Sequence, residues 1–263
     1  MPRTVIAHIT DTHIPGADEL THEGAQPREN LQRALVHASR RSRGIIITGD
    51  CAAKAGTDAE YAAFAQVIAS ATVPVWLAPG NHDDSVKMQR LFSLPSRNGR
   101  CDYTIDLPGT RVVVLDSTRR GNEGGSLDAE QTEWLAAQLG ETPAIIAMHH
   151  PCVSVGSKTL DNIRLDNESL ARLQATVSSA TARGARVHAL VAGHAHMSCF
   201  AAFAGVPAII APSCAYEFGM VNGVFSYQVG DPQYMEYSWG ETGEDFLARV
   251  ITVNDSRWRT MRG

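Results

Sequence analysis

Short runs of Val, Ile and Ala, each closed at once by polar or turn residues, are separated in this chain by longer amphipathic stretches. That alternation admits few folds. Apolar runs too short for helices read as buried strands, and the stretches between them carry helical spacing. Strands are expected over Val5 to Thr10, Gly44 to Thr48, Val75 to Ala78, Thr110 to Asp116, Ala144 to Met148 and Val187 to Ala192. One helix is expected over Pro27 to Arg41, with Leu31, Ala34, Leu35 and Ala38 on one face. Another spans Asp58 to Ser70, with Tyr61, Phe64, Ala65 and Ile68 together. Thr57-x-x-Glu60 and Asp128-x-x-Gln131 have the form of capping boxes and mark helix starts. The fold class is α/β. With 263 residues and 44% hydrophobic content, the chain has material for one large domain and core.

The ends of the apolar runs carry the chemistry. Six of the ten histidines follow a run directly: His13, His82, His149, His150, His194 and His196. They belong to five segments, Asp11-Thr12-His13, Gly49-Asp50, Gly80-Asn81-His82-Asp83, His149-His150-Pro151 and Gly193-His194-Ala195-His196. In open α/β sheets the carboxyl ends of strands share one edge, so residues placed there converge in space. Imidazole, carboxylate and amide oxygen together suit borderline divalent metals. Two such cations roughly 3.5–4 Å apart clamp a phosphoryl group and need a bridging carboxylate. Asp50 suits that place, because Gly49 lets the backbone turn sharply ahead of it. Asp11 and His13 can point the same way only if the strand has ended at Thr10, and His194 and His196 face the same condition. A lone Gly-Asp or Asn-His-Asp is usually a turn; five such segments after five strands make a metal site the better reading. His8 is read as a core histidine, and His22, His37 and His188 as surface residues on helix or loop.

The formal net charge of −5 and pI near 6.0 provide no basic footprint, and no Arg/Lys cluster adjoins the five blocks in sequence. A large nucleic-acid partner is therefore not expected. Val5 to Ile9 is too brief for a signal-peptide core, and Phe200 to Ala211, interrupted by Gly205 and Pro207, is too short to span a bilayer. Five cysteines without a C-x-x-C pair read as reduced packing residues. These features predict a cytoplasmic protein without a membrane partner. Residues 216 to 246 gather Tyr216, Phe218, Phe225, Tyr227, Tyr234, Tyr237, Trp239 and Phe246. They read either as a β-rich extension covering a sheet edge or as an oligomer contact or pocket wall.

The ordered blocks D-x-H, G-D, G-N-H-D, H-x-P and G-H-x-H resemble the calcineurin-like metallophosphoesterase superfamily, and they run from Asp11 to His196. Gly80-Asn81-His82-Asp83-Asp84, Leu115-Asp116-Ser117, Met148-His149-His150-Pro151 and the stretch Gly125 to Leu139 are similar to class III cyclic nucleotide phosphodiesterases and bacterial glycerophosphodiesterases. The resemblance implies a four-layer α/β/β/α sandwich of two mixed sheets, with metals at the carboxyl ends of strands. It implies a catalytic core over residues 1–211, a C-terminal β-rich extension of the same domain over 212–263 that offers an oligomer contact, and a homo-oligomer. Asp11, His13 and His196 would hold one divalent ion (Mn, Fe, Co or Zn) and Asn81, His149 and His194 the other, with Asp50 bridging. His150 takes a supporting place, the alternative being that it replaces His149. His82 would be the catalytic histidine outside the metal shell, with Asp83 orienting it. The serine/threonine phosphatase branch carries an arginine shortly after the Gly-Asp block and the purple acid phosphatases a tyrosine three residues on, whereas here Cys51-Ala52-Ala53-Lys54 follows.

The activity implied is hydrolysis of small phosphodiesters, cyclic nucleotides or glycerophosphodiesters, by a metal-bound hydroxide, with His82 assisting the leaving group. A phosphomonoesterase using the same metals is one alternative, and a non-catalytic metal-binding module is another. Pocket walls are expected from Ser154 to Asn167, notably Asp161, Asn162 and Arg164, and from Ser213 to Glu217.

Overall fold

Side chains alternate across each strand, and here both faces of most strands are apolar, so each sheet must be covered on two sides. A computed structural model of the chain describes residues 3–16 and 22–254; residues 1–2, 17–21 and 255–263, and with them the outer ends of the two expected units, lie outside the described residues. The first half runs β1 (Thr4–Ile9), α1 (Pro27–Ser39), β2 (Ile45–Thr48), α2 (Asp58–Ile68), β3 (Val75–Ala78), α3 (Ser85–Phe92), β4 (Tyr103–Leu107) and β5 (Thr110–Val114). It continues with α4 (Ala129–Gln138), β6 (Ala144–Ala147), α5 (Lys158–Asp161), α6 (Asn167–Ala182) and β7 (Val187–Ala192). The remainder is all strand: β8 (Cys199–Phe203), β9 (Val206–Ile210), β10 (Glu217–Val221), β11 (Val224–Gln228), β12 (Gln233–Trp239) and β13 (Leu247–Thr252).

Two mixed sheets result, ordered β13-β12-β1-β2-β3 and β4-β5-β6-β7-β9-β8, with β10-β11 as a separate hairpin. The alternation of side chains sorts the core into three apolar layers. Ala7, Ile9, Ile45 and Ile47 pack with Leu31, Leu35, Tyr61 and Phe64 from α1 and α2. Ile6, Ile46, Val112, Val114, Ile145 and Val191 meet between the two sheets. Val113, Ile146 and Leu190 pack with Leu135, Leu173 and Val177 from α4 and α6. The order is helices, sheet, sheet, helices. Both predicted capping boxes form, at Thr57/Glu60 and Asp128/Gln131.

Several local expectations shift. β5 stops at Val114 instead of Asp116, because Asp116 turns its carboxylate to the backbone N–H groups of Cys101 and Thr118. On α2 the buried face uses Ala63, while Ala65 is exposed. His188 lies in β7 and not on a helix or loop; its ring stacks 4.7 Å from Phe246. The aromatic segment divides between three fates. Tyr234, Tyr237 and Trp239 are fully buried in β12, which pairs antiparallel with β1, so residues 233–252 complete the first sheet. Tyr216 and Phe218 face the histidines, and Phe225 and Tyr227 are exposed on the hairpin. The apolar run Phe200 to Ala211 forms the antiparallel pair β8 and β9. Among the described residues no helix is long and apolar enough to cross a membrane.

Candidate metal centre

Parallel pairing aligns the carboxyl ends of β1, β2 and β3 along one sheet and of β5, β6 and β7 along the other. The polar segments leave from these ends and meet between the sheets. β1 ends at Ile9, which frees the next residues from strand geometry. Asp11, His13, Asp50, His194 and His196 all have positive φ, between 44° and 68°. Half of the ten non-glycine residues in that region among those described are therefore site residues. Such backbone is costly for side-chain-bearing residues and persists where the surroundings impose it. Here the imposing contacts are hydrogen bonds from Asp11 N to Gly49 O (3.1 Å) and from His13 N to Asp50 O (2.8 Å).

Two glycines permit the approach. A Cβ on Gly49, whose φ is +96°, would fall 2.5 Å from His149 Nδ1 and 2.7 Å from the Gly80 Cα. A Cβ on Gly193 would fall 1.9 Å from Thr10 Oγ1 and 2.6 Å from Asp11 Oδ2. Gly193→Ala is expected to destabilise the fold by about 1–3 kcal/mol through overpacking and to weaken metal uptake with it. Urea midpoints and metal titration check this, and an unchanged midpoint would contradict the close packing.

The side chains form two groups joined by one carboxylate. In the first, His13 Nε2 and His196 Nε2 lie 2.9 Å apart, and Asp11 Oδ1 is 3.4 Å from His196 Nε2. In the second, His149 Nε2 lies 3.0 Å from Asn81 Oδ1 and 3.1 Å from His194 Nδ1. Asp50 faces both, with Oδ2 3.7 Å from His13 Nε2 and Oδ1 3.4 Å from His149 Nε2. Outer contacts set the tautomers. His149 Nδ1 donates to Thr48 O (2.8 Å) and His196 Nδ1 to Tyr216 O (3.0 Å), leaving each Nε2 lone pair pointing inward. Asp11 is steadied by the His194 backbone N–H at 2.9 Å.

Burial alone would raise the carboxyls of Asp11 and Asp50, yet neighbouring imidazoles hold both well below the usual range. Burial would likewise depress His149, but the charge and hydrogen bond of Asp50 lift it to about 9. Burial, together with the adjoining histidines, keeps His13 and His194 at about 3. Asp50 thus draws a proton onto His149 while its neighbours stay neutral, and a cation entering beside Asp50 would displace that proton and free the Nε2 lone pair. His194 Nε2, moreover, is buried with no partner among the described residues. The donor set therefore fits divalent metal ions.

His150 is also within reach of His149 and His194, but its nitrogens are engaged elsewhere, Nδ1 with Ser117 Oγ (2.8 Å) and Nε2 with Glu123 O (3.0 Å). It backs the cluster while His149 faces it. The His82 ring stands edge-on to His13 at 5.1 Å, with Nε2 4.0 Å from Asp50 Oδ2, and its backbone N–H donates to Asp50 Oδ1 (3.0 Å). The expectation that Asp83 orients this ring is corrected. Its carboxylate accepts from the backbone N–H groups of Gly80, Cys51 and Ala52 at 2.9–3.1 Å, while His82 Nδ1 has no partner among the described residues. Asp83 thus ties the turn after β3 to the loop after β2. His8 behaves as a core histidine, bonded to Tyr237 and Thr48 and held by burial at about 3.

The surroundings include one wall the sequence predicts, Ser213 to Glu217, and one residue it does not, His22. The Tyr216 ring stacks 5.4 Å from His13 and packs 4.7 Å from His196, and Ser213 Oγ donates to Asp11 O (3.0 Å). Exposed His22 lies edge-on to Tyr216 at 4.4 Å. Of the expected walls, Ser213 to Glu217 does border the cluster, whereas Asp161 is committed to Ser154 and Val155 in its own loop. The absence of a basic cluster also needs correction: Lys54, Lys87, Arg90, Arg119 and Arg120 line one cavity with Asn81.

Known proteins place these observations in context. The chain is 31% identical over 230 residues to a cAMP/cGMP dual specificity phosphodiesterase of Mycobacterium tuberculosis, covering 82% of this chain and 69% of that one. It is 29% identical over 241 residues, 90% of each chain, to a probable cyclic nucleotide phosphodiesterase of Fibrobacter succinogenes. A probable glycerophosphodiester phosphodiesterase of Arcobacter nitrofigilis matches at 28% over 203 residues, 73% of this chain and 71% of that one. In fold, a dimetal phosphatase from Danio rerio superposes with a TM-score of 0.64 at 16% identity, covering 95% of this chain and 99% of that one. The family model for calcineurin-like phosphoesterases matches residues 4–198, which span every block from Asp11 to His196. The chain belongs to the calcineurin-like phosphoesterase family.

Proposed function

We propose that this protein is a binuclear metal-dependent phosphodiesterase acting on small phosphodiesters of the cyclic nucleotide or glycerophosphodiester kind. The observation that carries the reading is Asp50, which turns one oxygen to each of two histidine groups. In this reading Asp11, His13 and His196 hold one divalent ion, and Asn81, His149 and His194 the other, with Asp50 shared. Mn, Fe, Co and Zn all suit that mixed nitrogen and oxygen set. Bound there, the ions would neutralise phosphoryl charge and supply a water acidic enough to act as nucleophile near neutral pH.

The chain's own residues do the rest. Thr48 and Tyr216 carbonyls fix the imidazole tautomers, and the Asp83 carboxylate holds the turn that presents Asn81 and His82. His82, half exposed at the rim, donates a proton from its ring to the departing alkoxide. The phosphodiesterase names of the sequence relatives support a diester over a monoester. The metal-loaded protein should hydrolyse bis-p-nitrophenyl phosphate with a higher kcat/KM than p-nitrophenyl phosphate; the reverse order would favour the monoesterase reading. We propose also that the protein is a cytoplasmic homo-oligomer. Five free thiols suit a reducing compartment, and exposed Met220, Val221, Val224 and Phe225 on the β10–β11 hairpin supply apolar surface for self-association.

A further inference from the structure

The cavity lined in part by Asn81 is charged in a way the diester reaction alone does not require. It measures about 670 Å³, within the usual range for small-ligand clefts. Lys54, Lys87, Arg90, Arg119 and Arg120 line it, in a chain whose net charge is −5. Two of the five cations are paired, Lys87 with Asp58 (3.1 Å) and Arg119 with Asp166 (3.6 Å). The side chains of Lys54, Arg90 and Arg120 make no ion pair or hydrogen bond among the described residues. The two carboxylates in the lining reduce this charge without cancelling it, five cations facing two anions. Asp83 is taken up by backbone N–H groups, and Asp84 caps α3 through the Lys87 N–H at 3.0 Å. Gathering cations on one concave wall costs self-repulsion unless an anion enters, and Arg and Lys are the usual donors to phosphate oxygens.

The cavity opens onto Asn81, so its anion would be continuous with a substrate seated at the cluster. We infer that the preferred substrate carries a second phosphate group beyond the scissile diester, and that Lys54, Arg90 and Arg120 hold it. This rests on the phosphodiesterase reading and sharpens it, because a simple cyclic nucleotide or glycerophosphodiester lacking that group leaves the basic wall unengaged.

Matched substrates test it: the dinucleotide ApA against pApA and ApAp, which differ only by a terminal phosphate, with bis-p-nitrophenyl phosphate measured alongside. One charge-assisted contact should raise kcat/KM for a phosphorylated form by roughly 10- to 100-fold over ApA. The preference should collapse in Lys54→Gln/Arg90→Gln/Arg120→Gln and shrink at high salt. The readout is the ratio between substrates within one enzyme preparation, so a variant with reduced overall activity still reports. Wild-type activity on bis-p-nitrophenyl phosphate without any preference among the dinucleotides overturns this inference alone. A preference surviving unchanged in the triple variant overturns it too, as does a rate that keeps climbing with strand length, which would assign the wall to nucleic acid. A metal-loaded wild type inactive on every diester removes the phosphodiesterase reading and this inference with it.

Discussion

Replacing His82 by alanine should lower kcat by about 10²–10⁴-fold on diesters with alkyl leaving groups while metal content stays at the wild-type level. The split follows from where the residue sits. Its backbone N–H bonds to Asp50 Oδ1, a contact alanine retains, whereas its ring stands 4.0 Å from Asp50 Oδ2 with the side chain 37% exposed. The ring is therefore at the rim of the cluster, placed to meet substrate. A proton donor matters most when the leaving group is a poor one, because a nitrophenolate departs without help. The loss should accordingly be smaller on bis-p-nitrophenyl phosphate than on an alkyl diester. Equal losses on both would assign the ring a binding role, and full activity in the metal-replete variant would remove it from the mechanism.

The fold was legible in the sequence where a buried strand is also a nearly continuous apolar run, and β3 and β7 have the limits the sequence predicts. β12, buried from Tyr234 to Trp239 but mixed in composition, offers no such run. The C-terminal strands were harder to place. β10 and β11 expose apolar residues to solvent, and β13 exposes Leu247 and Val250, so neither a clean alternation nor a continuous run marks them. α6 has only Leu170, Leu173 and Val177 as large apolar residues among Ser, Thr and Ala, so its helical period is faint in the sequence. Pairing of β12 with β1, across more than 200 residues of chain, follows from packing and is not written in any local pattern.

The site divides in the same way. Asp11, His13, Asp50, Asn81, His149, His194 and His196 could be named because their residue types and positions after strands are local facts, and the structure brings all seven together. What could not be read was orientation. Asp83 was expected to face its neighbour His82 and faces the β2 loop instead, since the N–H groups of Cys51 and Ala52 there, with that of Gly80 in its own turn, need an acceptor. Tyr216 reaches His13 and His196 from a segment whose aromatic content said nothing of direction. The basic cavity draws on three separate stretches of chain, Lys54, Lys87 to Arg90, and Arg119 to Arg120, none of which is a charge run.

Asp50→Asn is the sharpest test of a shared carboxylate. The substitution keeps size and one carbonyl oxygen but replaces the other oxygen with an amide nitrogen that has no lone pair to offer a cation. Whichever way the amide turns, one of the two groups loses its oxygen, the contact now made by Oδ2 toward His13 or by Oδ1 toward His149. The loss of charge acts on both, because Asp50 is the carboxylate whose attraction outweighs burial at His149. The variant should bind at most one metal equivalent against the two expected for the wild type, and kcat/KM should fall on the order of 10⁴-fold, as expected when members of one catalytic unit are removed. Stability gives an independent reading. Metal at 100 times its Kd stabilises a folded site by about 2.7 kcal/mol, which for a chain of this size raises Tm by roughly 5–10 °C. That rise should appear on loading the wild type and be largely absent in Asp50→Asn. Metal analysis and thermal melts, each with and without added metal, check both parts. A variant that still takes up two equivalents and shows the full Tm rise would mean that the two groups do not depend on Asp50 to share their ions.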